Sequence, residues 1–122
     1  MAVTANSVSR EKYGWCRNAF TADASGCEEI QGAPGAGYRL VLDQLSIISD
    51  ANITVTIGYG ESTGAVEGVL FGPFPYGANT GNETDFHFEK QGVLLPENKS
   101  LTVDASGSGN VCVVAIGRTE EV

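Results

Sequence analysis

Apolar residues recur at every second position along most of this chain, in runs too short and too often interrupted to build helices. The clearest run spans residues 52–59, where Ile53, Val55, Ile57 and Tyr59 fall on one side and Thr54 and Thr56 on the other. That period belongs to a strand with one buried face. Similar runs occupy 38–42, 66–71, 84–88, 93–95, 101–105 and 111–116, with Gly, Pro, Asn or Asp between them. The pattern predicts an all-β fold, a single antiparallel β-sandwich of about seven or eight strands with an irregular N-terminal arm. Helix is expected only as single turns, near residues 9–13 and 28–31.

Three local features refine the prediction. Tyr38, Leu40 and Leu42 share one parity, while Leu45 and Ile47 share the other. A parity switch inside one run implies a bulge or bend near Asp43 and Gln44. Pro73 and Pro75 lie two apart, and two such residues cannot sit in a central strand, so the 66–71 strand is expected to end there. The last run is apolar on both faces, with Val111, Val113 and Ala115 on one side and Cys112, Val114 and Ile116 on the other. In a lone two-layer sandwich one face of each strand meets water, so this strand needs a second cover. Either the N-terminal segment folds over it or a neighbouring subunit does. Val41 and Ile48 add to the same outward surplus. Val41, Ile48, Val114 and Ile116 are therefore candidates for an oligomer interface, as are the loop aromatics Phe74 and Tyr76.

With 122 residues the chain holds one domain. Residues 31–37, Gln-Gly-Ala-Pro-Gly-Ala-Gly, carry no periodicity and read as a linker or wide turn. The expected division is an arm with its Gly-rich linker over 1–36 and the sandwich over 37–122. Removing the arm should then leave the sandwich folded. Tyr13, Trp15 and Phe20 crowd into the arm, outside the strand alternation, and are candidates for contact with a partner. Residues 1–10 lack a basic start followed by an apolar stretch, so a chain made in the cytoplasm is expected unless a signal has been removed. Cys16, Cys27 and Cys112 are an odd set without a CxxC. Cys16 and Cys27 either close a small loop or remain two reduced thiols, with reduction slightly preferred. Cys112 reads as a small buried hydrophobe.

The formal charge of −8 sets the chain against a nucleic-acid backbone, because its seven Lys and Arg do not cluster. No apolar run is long enough for a membrane helix. The single histidine, His87, stands between Phe86 and Phe88 and so on the outward side of a strand. No serine occupies a nucleophile-elbow context, and the carboxylates are scattered. Neither a phosphate-binding glycine loop nor metal-ligand spacing occurs. No enzyme, no cofactor and no metal are expected.

The order of features over residues 38–118 carries a resemblance. An Ile-rich strand precedes Asn52-Ile-Thr-Val-Thr-Ile57, then come Gly72-Pro73 and an aromatic strand. Lys99-Ser-Leu-Thr-Val103, Gly109-Asn-Val-Cys-Val113 and Gly117-Arg118 follow. This resembles the small trimeric jelly-roll virion proteins of tailed phages, of tumour-necrosis-factor-like topology. The resemblance covers about two-thirds of the chain and rests on strand patterns and turn glycines. It implies a homotrimer seated at a capsid symmetry axis. Such a trimer bridges major capsid protein subunits on the outer surface of the virion as a decoration or cement protein. Tyr13, Trp15 and Phe20 would then touch the capsid. The alternative is a receptor- or carbohydrate-binding fibre or tail module of the same fold, with Tyr59, Tyr76 and Glu61 lining a sugar site. A small enzyme on a β-sandwich ranks last.

Overall fold

The computed structural model describes residues 4–7, 14–21, 26–60, 66–77, 82–88, 91–107 and 109–122. Among them the alternating runs form strands β1 (Thr4–Ser7), β2 (Gly14–Thr21), β3 (Gly26–Gln31), β4 (Tyr38–Ser49) and β5 (Ile53–Gly60). They continue as β6 (Gly68–Tyr76), β7 (Asn82–His87), β8 (Val93–Leu94), β9 (Ser100–Ala105) and β10 (Val111–Glu121). One antiparallel sheet runs β1-β2-β10-β4-β7, with β8 also pairing β4, and the other runs β3-β9-β5-β6.

A single long hairpin explains this order. β5 pairs with β6 at its tip, then β4 with β7, β3 with β9 and β2 with β10 at its base. Rolling that hairpin brings β10 beside β4 and β9 beside β5. The result is the doubly wound strand order of a jelly roll. β10 becomes central, flanked by β2 and β4, with Val111, Val113 and Ala115 turned into the core. Leu40, Leu42, Leu45 and Ile47 of β4 meet Val55 and Ile57 of β5 and Leu101 and Val103 of β9 in the core, each 3% exposed or less.

The expected bulge is present. β10 pairs Ile116 with Gln44 but Gly117 with Leu42, which leaves Asp43 as the extra residue. The parity switch therefore keeps Leu42 and Leu45 both facing the core. Gly117 meets the bulge at close quarters, since a Cβ there would overlap the Val41 carbonyl oxygen and the Trp15 ring. Arg118 Nη1 donates to Asp43 Oδ1 at 2.6 Å and fixes the bulged residue on the outer side.

Four expectations need correcting. The strand starting near Val66 does not stop before the prolines: β6 continues to Tyr76 through both. It can do so because β6 is the edge of its sheet, where a missing N–H costs no ladder bond on the open side. Residues 28–31 are strand, not helical turn. The last strand extends past Ile116 to Glu121, with Thr119, Glu120 and Glu121 paired to β4. Finally, the boundary expected at 36/37 falls inside the sandwich. β2 and β3, both before it, pair with β10 and β9, and Trp15 and Ile30 lie in the core at 6% and 1% exposure. The helical turn expected over 9–13 lies outside the described residues.

The Gly-rich stretch 31–37 is a fixed crossover between sheets rather than a loose tether. Gly35 and Gly37 take φ of 109° and 87°, which a side chain would resist. Gly35 N donates to Asn98 Oδ1, Gly37 N to Glu97 Oε2, and Val122 N to the Gly37 carbonyl.

On the side where β6 and β7 face each other, Phe71 and Phe86 stack at 5.2 Å between centroids, as do Phe71 and Phe88. Tyr76 Oη donates to Thr84 Oγ1 at 2.9 Å across the same gap. Burial raises the Tyr76 pKa above its ordinary 10.0, with the Thr84 bond pulling weakly the other way. The unfolded chain therefore loses this proton first as pH rises. Tyr76 contributes its full stability below about pH 10 and loses it progressively above. Melting temperatures followed from about pH 8 to 11 should fall more steeply for the parent chain than for Tyr76→Phe. Parallel curves would remove this role.

Candidate functional site

The unusual surface is the outer face of the β1-β2-β10-β4-β7 sheet. Along β10, Val111, Val113, Ala115 and Gly117 are buried, while Cys112, Val114 and Ile116 are half-buried and face outward. The pairing register carries their neighbours to the same side: Asn18 and Cys16 from β2, and Ile48, Ser46 and Gln44 from β4. Ile48 is 42% exposed. None of these outward positions bears a charge, although the chain totals −8. Strands lie about 4.8 Å apart and rise about 3.3 Å per residue, so three strands over five residues give a neutral field of roughly 15 Å by 17 Å.

Polar and charged groups border it. Ser46 Oγ donates to Asp85 on β7, and the exposed His87 follows on the same strand, opposite Gln44. Beyond the bulge, Arg39 reaches Glu120 Oε1 with Nε at 2.9 Å, and Arg118 Nη2 donates to the Gln91 carbonyl at 3.0 Å. Arg39, Gln91, Leu94, Arg118 and Glu120 line a shallow hollow of about 300 Å³ there. Both guanidiniums are already held by carboxylates, so the hollow presents a satisfied ion-pair network rather than an unmet charge.

The candidates from sequence fall into separate groups. Ile48, Val114 and Ile116 come together on the neutral field. Val41 points to the same side but is fully buried, pressed by Gly92, where a Cβ would stand 2.9 Å from Val41 Cγ1. Tyr76 is buried at 4% exposure and Phe74 is half-buried with its ring 5.8 Å from Phe86, so both belong to the interior. Trp15 likewise packs into the core. Tyr13 lies outside the described residues, as does Glu61. Phe20 belongs to β2 opposite Cys112, with its side chain outside the description. Tyr59, named for a sugar site, packs half-buried against the core.

Cys16 carries a free thiol and so does Cys112, whose Sγ lies 3.4 Å from Asn18 Oδ1. Both are half-buried on the neutral face, so Cys112 is not the core residue expected. The side chain of Cys27 is outside the description. The outward placement of Cys16 and Asn18 escaped the sequence reading because Arg17 breaks the alternation of β2. Arg17 lies on the core-facing side of that strand, yet its Nε finds Gln31 Oε1 of β3 at 2.7 Å. Among the described residues no three His, Cys, Asp or Glu side chains gather to hold a metal ion.

The chain matches no family model, no curated protein and no solved structure. The geometry of the outer face therefore carries the functional reading together with the sequence resemblance.

Proposed function

We propose that this chain is a structural virion protein, a capsid decoration or cement protein that assembles as a homotrimer and binds a major capsid protein on the outer surface of the head. The observation that carries the reading is the uncharged field of Ile48, Val114, Ile116, Cys16 and Cys112 on an otherwise acidic chain. Two like-charged copies meet at least cost where neither presents charge. A field of this size is smaller than the roughly 800 Å² per partner of a standard stable interface. It suits the apolar centre of a contact whose rim is supplied by Asn18, Ser46 and Gln44. The resemblance to small phage jelly-roll trimers supplies the virion context, and modest contacts repeated over a lattice add up through multivalency.

The test has two parts. Light scattering of the purified chain should return a trimer mass, and the thiols of Cys16 and Cys112 should react more slowly with an alkylating probe as assembly proceeds. The chain should then co-sediment with capsids lacking it. A monomer at every concentration that also fails to co-sediment would end the proposal. Glycan binding without capsid binding would transfer the chain to the fibre-module reading.

A further inference from the structure

The tip of the rolled hairpin lies on the other sheet, where β5 turns into β6. There residues 66–68 bend over the outer side of β5. Gly58 faces outward, and a Cβ on it would overlap both Val66 Cγ1 and the Gly68 carbonyl oxygen. Glu67 N donates to the Tyr59 carbonyl at 3.0 Å, and the Glu67 carboxylate meets Lys99 Nζ at 2.9 Å. Directly opposite Gly58, on β9, stands Thr102. Alternation sends its side chain outward, yet it is 0% exposed, and its Oγ1 has no hydrogen-bond partner. Its neighbour Ser100 shows what a satisfied hydroxyl looks like here, donating to the Gly60 carbonyl at 2.7 Å.

We infer that residues 66–68 are a latch that opens while the sandwich stays folded, uncovering the outer side of β5 and β9 at Gly58 and Thr102. Two features work against each other. The closed latch gains the Val66 contact over Gly58, the Glu67–Tyr59 backbone hydrogen bond, the pairing of Gly68 with Tyr59 at the end of β6 and a half-exposed ion pair. It also seals a hydroxyl away from water without a partner, a penalty that opening relieves. The side it covers is poor in side chains, with Gly58 and Gly60 beside Ser100 and Thr102. An open latch thus exposes a shallow groove edged by two hydroxyls. Local opening of this kind draws on few contacts and costs less than global unfolding.

Native-state hydrogen exchange of the full chain tests the inference. The Glu67 amide should exchange well ahead of a central-strand amide such as that of Val113. Thr102→Val keeps the shape and removes the orphaned hydroxyl, so it should slow Glu67 exchange about tenfold. Glu67→Gln keeps the amide and loses the ion pair. It should speed that exchange by up to about fivefold at low salt, with the difference shrinking at high salt. Glu67 exchanging in step with Val113 in the parent chain would overturn the latch. So would a Thr102→Val chain whose Glu67 rate is unchanged.

Discussion

Under the proposed trimer, Val114→Asp is expected to leave a folded chain that remains monomeric at concentrations where the parent chain assembles. Val114 is half-buried and points out of the sheet, so the new carboxylate reaches water in the free subunit. The melting temperature should therefore change little. In the assembly the same carboxylate would lie in the middle of the neutral field, stripped of water and without a cationic partner. An unpaired buried charge of that kind costs about 3 kcal/mol or more, which weakens association by roughly a hundredfold. Ile116→Asp should behave in the same way. Val113→Asp supplies the contrast, because Val113 is 1% exposed and its substitution should unfold the chain outright. Light scattering and a thermal melt on each variant separate the two effects. A Val114→Asp chain with the mass of the parent would remove the outer face from the interface.

What the sequence made legible was whatever one strand states by itself. The alternation in Ile53, Val55 and Ile57 marks its own buried face, and the parity switch marks the Asp43 bulge. The doubly apolar β10 announces that both its sides are special. What escaped depended on partners distant in the chain. β2 hides because Arg17, on its core-facing side, interrupts the apolar alternation, and its Nε donates to Gln31 on another strand, β3. β6 hides because proline is read as a terminator, and only its edge position lets the strand run through. Thr102 reads as an ordinary outward threonine, yet it is 0% exposed, which its own alternation does not reveal. The interface candidates divide on the same line. Val114, Ile116 and Ile48 are outward by their own alternation. Val41 is outward too, but Gly92 closes over it, and no local pattern reveals that.

Deleting residues 1–36 should unfold the chain, the opposite of what a detachable arm would do. The deletion removes β2, which pairs along Gly14–Thr21 with residues 111–118 of β10, and β3, which flanks β9. β10 is left with one neighbour and an open edge lined by apolar residues, a template for aggregation. The core loses Trp15 and Ile30 together. Truncating even one such side chain to alanine costs about 2–5 kcal/mol, while a domain of this size has only about 5–15 kcal/mol to lose. Deleting only residues 1–8 removes β1, an edge strand, and should leave a cooperative melt. Circular dichroism and a thermal scan distinguish the two truncations. A cooperative melt for the 37–122 fragment would mean that β2 and β3 are dispensable and that the long-hairpin account of the fold fails. The expected collapse has a consequence for the function as well. Under the proposed function, loss of capsid binding in the long truncation would report unfolding, so the proposed attachment has to be mapped by single substitutions that leave the chain folded.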